Sequence, residues 1–152
     1  MRSISKLAAT LLAALVLATP FTPVLAHDDA TLDAMQTPNG GQLRMAGPYH
    51  FELVLVKSSK EVKENPVRVF VTDHAGAKIS TAGASGTATL LAGKLKASVT
   101  LVPDGDNRLK GVAKYASSPD MKAVVAITMP GKPTEQARFT PLSGAANEHM
   151  HH

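Results

Sequence analysis

Strict alternation of apolar and polar residues over short runs constrains this chain more than any other feature. Leu95, Ala97, Val99 and Leu101 alternate with Lys96, Ser98 and Thr100, a period of two that only an extended strand with one buried face accommodates. Val67, Val69 and Val71 alternate with Arg68, Phe70 and Thr72, placing the three valines on one face. From Tyr49 to Lys57, Tyr49, Phe51, Leu53 and Leu55 share one face and His50, Glu52, Val54 and Val56 the other. Further runs follow at 87–91, 109–115, 122–129 and 136–140, giving about seven strands spaced by roughly ten residues. Turn-competent stretches separate them, among them Asp73-His74-Ala75-Gly76, Ala92-Gly93-Lys94 and Asp104-Gly105-Asp106-Asn107. No stretch between strands is long enough for a crossover helix. The expected fold is all-β: a small antiparallel Greek-key, immunoglobulin-like β-sandwich without a disulfide, since the chain has no cysteine.

The first 26 residues read as an address. Arg2 and Lys6 form a positive region, Leu7 to Ala18 is apolar apart from Thr10, and Val24-Leu25-Ala26 supplies a cleavage site. The apolar run is too short to span a bilayer. A signal peptide over 1–26, export to a periplasm and no stable membrane insertion after cleavage are therefore expected. Of 152 residues, removal of those 26 leaves 126, and the formal charge drops from +4 to +2 with Arg2 and Lys6. The remaining basic residues do not cluster, and aromatics make up only 4% of the chain, so no nucleic-acid partner is expected. Residues 27–41 read as a mobile N-terminal arm, with a short helical turn around Leu32 and Met35. Residues 42–142 read as the β-sandwich domain and 143–152 as a flexible tail rich in His and Met.

Gly40-Gly41-Gln42-Leu43 and Ala46-Gly47-Pro48-Tyr49-His50-Phe51-Glu52-Leu53-Val54 form a recognisable pattern. It resembles the GG-x-L…AG-x-YH-x-ELV signature of a group of small periplasmic proteins, and is similar to periplasmic parts of heavy-metal efflux systems. The rhythm from Val67 to Phe139 is similar too. The resemblance implies a β-sandwich in a metal-handling, copper-resistance context. It departs at Asn39, where those proteins often carry a histidine before the Gly-Gly pair.

Several residues are candidate metal ligands. His50 and Glu52, two apart on one strand, place an imidazole and a carboxylate on the same face about 7 Å apart. Their competing role is a surface pair bonded to basic neighbours across the sheet. Met45 offers a thioether or simply fills a gap. The tail His149-Met150-His151-His152 combines imidazole and thioether, donors that favour copper, as Cu(I) or Cu(II), over magnesium or calcium. Cleavage after Ala26 makes His27 the first residue, and its amine and imidazole form a chelating pair suited to Cu(II). His74 reads as a turn residue, and Met129 as core.

Enzymatic motifs are lacking. Asp104-Gly105-Asp106-Asn107 has no distal glutamate for calcium, Gly93-Lys94 lacks a phosphate-loop context, and there is no HExxH. The expected function is a non-enzymatic periplasmic metal-binding protein that buffers or delivers copper, with a periplasmic efflux or envelope protein as partner. The alternative is a β-sandwich interaction module that docks on an envelope or efflux complex and holds no metal.

Overall fold

In the computed structural model, residues 28–146 are described. Residues 1–26, expected to be a signal peptide, His27 and the His/Met residues 149–152 lie outside them. Eight strands form: β1 Gln42–Ala46, β2 Tyr49–Leu55, β3 Lys63–Asp73, β4 Ser85–Ala92, β5 Leu95–Pro103, β6 Arg108–Tyr115, β7 Lys122–Thr128 and β8 Thr134–Phe139. A one-and-a-half-turn helix, α1 (Asp29–Ala34), precedes them, and a 3-10 turn at Ser143–Ala146 follows. All neighbouring strands are antiparallel, in the order β1-β2-β3-β6-β5-β4-β7-β8. The sheet curls until β8 comes back against β1, so the fold is all-β and a nearly closed barrel.

The apolar halves of the alternating runs fill its interior. Phe51, Leu53, Val67, Val69, Val71, Leu109, Val125 and Ile127 are all 1% exposed or less. Met121 and Met129 belong to the same core. The expectation of about seven strands missed β1, and its physical reason is Arg44. Register pairs Arg44 with Phe51, so a cation occupies the core-facing position of a five-residue strand and breaks the apolar alternation. The guanidinium is buried but turned to α1, where Asp33 lies 2.7 Å away and Asp29 3.5 Å. Leu32 of α1 is 1% exposed. Asp28 caps the helix by accepting from the Thr31 N–H at 2.8 Å. The 27–41 arm thus carries a docked helix at the barrel's edge.

Side chains complete what the backbone ladder leaves open. At the β1–β8 seam the Gln42 amide does so: its Oε1 accepts from the Thr140 N–H at 2.8 Å and its Nε2 donates to Thr140 Oγ1 at 3.3 Å. At the far end of β2, pairing with β3 stops at Leu55↔Val67. Pro66, which has no N–H to offer a ladder, comes next on β3. Tyr115 fills the gap: its hydroxyl donates to Pro66 O at 2.6 Å and accepts from the Val56 N–H at 3.0 Å. Ser59, Asn65 and Ser117 continue this buried polar network across the β2–β3 and β6–β7 loops.

Burial pushes the Tyr115 hydroxyl pKa above its ordinary 10.0, opposed by the Val56 hydrogen bond and the charge of Arg68. The folded state therefore holds this proton longer than the unfolded chain, and the stability so gained is present below pH 10 and lost as pH rises through the folded value. Urea denaturation across alkaline pH should show stability falling above about pH 10. Tyr115→Phe should flatten that fall and cost about 1–3 kcal/mol at neutral pH, by leaving Val56 N–H and Pro66 O unsatisfied.

Candidate functional site

The signature segment folds as a hairpin with a loop laid over it. Ala46 and Tyr49 close a two-residue β1–β2 turn in which Gly47 takes φ +57°, the first-position conformation of a II′ turn that disfavours a Cβ. On the outer side of β2, residues 39–41 fold back on Glu52. Its Oε2 accepts from the Gly41 N–H at 2.8 Å and the Asn39 N–H at 3.1 Å, and its Oε1 from Asn39 Nδ2 at 3.0 Å. Gly41 sits so close that an added Cβ would lie 2.4 Å from the Leu53 carbonyl oxygen. Only glycine fits there without moving backbone.

His50 and Glu52 do share a face, as alternation requires, and that face is directed away from the core side chains of β2. They are nevertheless not a surface pair. Each is 3% exposed, because the 37–41 loop covers Glu52 and the turn after β3 covers His50. Glu52 spends three of its roughly four acceptor sites on that loop. Its carboxylate is a clamp that accounts for the Gly-Gly and Glu elements of the signature, while Gly47 serves the β1–β2 turn.

His50 has a different neighbour. It pairs in register with Thr72 of β3 and with Met45 of β1, and His74, two residues past Thr72, stacks on it with ring centroids 4.8 Å apart and planes 17° from parallel. Asp73 sets the turn that presents His74 by accepting from the Ala75 and Ala77 N–H groups, each at 2.9 Å. His74 Nε2 lies 3.1 Å from Gly47 O. A carbonyl only accepts, so Nε2 carries the proton and Nδ1 is left with the lone pair in the neutral ring. Metal-binding imidazoles are commonly oriented in this way, with the second ring N–H on a backbone carbonyl.

Met45, half-buried, joins the two imidazoles on the outer face of the hairpin. The rings lie face to face and ring-nitrogen lone pairs lie in the ring plane, so joint ligation of one ion requires the exposed His74 ring to turn out of the stack. Among the described residues, no three His, Cys, Asp or Glu side chains converge as a ready-made cluster. Of the sequence candidates, then, His50 gains a partner that turn chemistry concealed, and Glu52 is engaged elsewhere. His27, His149, Met150, His151 and His152 lie outside the described residues. Pairing His50 with His74 needed the β2–β3 register, which no spacing in the sequence reveals.

No family model matches the chain, and no curated protein does. Among solved structures it is similar to a DUF4426 family protein from Pseudomonas aeruginosa, at 13% identity and a TM-score of 0.44, over 64% of this chain and 92% of that one. It is also similar to a conjugative transposon lipoprotein from Bacteroides eggerthii, at 11% identity and a TM-score of 0.34, over 61% and 95% of the two chains. At these scores neither likeness bears on function.

The clamp can be tested apart from any ligand. Glu52→Gln replaces one accepting oxygen by an NH2 that faces loop donors, and should lower stability by about 2–3 kcal/mol in urea denaturation. Proteolysis within 35–41 should accelerate in parallel. An unchanged urea midpoint would show that the loop does not depend on this carboxylate.

Proposed function

We propose that this is an exported periplasmic metal-binding protein, not an enzyme, which buffers or delivers copper in metal resistance. The observation that carries the reading is the His50–His74 stack, with Met45 opposite His50 in register. A thioether and two imidazoles are soft enough for Cu(I), and imidazoles alone also suit Cu(II). His149, Met150, His151 and His152 in the tail, and His27 with its amine after processing, extend the same donor chemistry. An ion held by such exchangeable ligands is passed on, to an efflux or envelope protein, and is not kept for catalysis. Kinship with the small periplasmic proteins of the GG-x-L…AG-x-YH-x-ELV type belongs to this proposal, as does an immunoglobulin-like Greek-key reading of the fold. The latter is supported by β4, β5 and β6 running as consecutive neighbours while β7 returns beside β4.

One observation favours the alternative, a metal-free module docking on an envelope or efflux complex: the Glu52 carboxylate is occupied by its own loop. Titration separates the two. Protein beginning at His27 is titrated with Cu(I), Cu(II) and Zn(II), beside His50→Ala, His74→Ala and a chain truncated after Leu142. Copper binding should weaken about tenfold or more in each histidine variant. Binding lost only on truncation would confine the metal to the tail. No binding beyond that of an unrelated histidine-bearing control would leave the docking module as the reading.

A further inference from the structure

The end of the barrel formed by the β4–β5 hairpin carries chemistry that neither the core nor the histidines use. Leu91, on the outer face of β4, is 38% exposed, and its directly opposite neighbours on both sides are lysines: Lys96 on β5 and Lys122 on β7. Lys94 stands at the hairpin tip. Leu95 pairs with Ala92 on the other face of the hairpin, is 53% exposed, and lines a hollow of about 260 Å³ at the barrel mouth. Lys114 and Asp120 edge the same hollow. The hairpin tip thus has an exposed leucine on each face, set among lysines and a single carboxylate.

Cross-strand lysines flanking a leucine gain nothing from one another, and an exposed leucine gains nothing from water. Both gain at the boundary of an anionic bilayer, where ammonium groups meet phosphates and apolar side chains leave water for the acyl region. Charge complementarity selects this occupant over an uncharged apolar partner. We propose that the β4–β5 hairpin end docks the protein peripherally on an anionic phospholipid surface, with Leu91 and Leu95 entering the interface and Lys94, Lys96 and Lys122 pairing with headgroup phosphates. Its location is separate from His50, His74 and Met45, so it is independent of the copper reading.

Sedimentation of the full mature chain with vesicles tests it. Vesicles of equal parts phosphatidylglycerol and phosphatidylcholine should carry the protein down, and pure phosphatidylcholine should not. Lys96→Gln and Lys122→Gln should each weaken partitioning about fivefold, and Leu95→Ser about tenfold. All three side chains are exposed, so the fold should survive, as thermal melts will show. Lys78→Gln, near the opposite β5–β6 turn where Lys78 pairs with Asp106, should have no effect. The proposal is overturned by an absence of binding to anionic vesicles, or by equal binding to both kinds. A Lys78→Gln loss as large as that of Lys96→Gln overturns it too, as does release of the protein by millimolar inorganic phosphate at constant ionic strength.

Discussion

The grip of the Glu52 carboxylate on residues 39–41 is the interaction on which the first third of the fold depends. It is a charge-assisted contact, made with three N–H donors and buried from water, where such bonds are stronger than at a surface. With the loop held there, the chain enters β1 in register with β2. Arg44 then faces the aspartates of α1, and Leu32 is covered. Gly41 is the steric condition for all of this, since any side chain would strike the β2 backbone. The pieces of the GG-x-L…AG-x-YH-x-ELV pattern are therefore interdependent: glycines allow the approach and the turn, and the glutamate locks it.

Much of this was legible in the sequence. Period-two alternation located seven of the eight strands and most of the core, because a strand with one wet face must write its burial into every second residue. β1 was concealed by Arg44, which is inward by register but satisfied by a helix that precedes it. The Glu52 clamp was concealed for a related reason: a carboxylate two residues from a histidine looks like a ligand until its backbone partners are known. His74 was concealed most completely. Its turn chemistry, with Asp73 taking two N–H groups, accounts for its position without calling for a second role, and only the β2–β3 register brings its ring onto His50.

His50 and Met45 lie on the outer side of the β1–β2 hairpin, and His74 reaches His50 from the turn after β3. His50 is fixed by burial and His74 is exposed on a turn. The pair joins a buried imidazole to an exposed one, and the proposed uptake and release of an ion rests on that asymmetry. This corner and the leucine- and lysine-bearing hairpin of β4 and β5 lie at opposite ends of the barrel, so the two proposals stand or fall separately.

The seam between β1 and β8 has a kinetic meaning. Gln42 and Thr140 are 98 residues apart in sequence, yet a single side-chain amide joins them. Contacts of such separation pay the largest loop-closure entropy and form late. Strands β4 to β7, built from hairpins and one return, can assemble locally, whereas the barrel cannot shut until β8 has arrived. A chain synthesised from its N-terminus thus carries β1 as an unfinished edge until β8, the last strand of the described residues, is made and closes it.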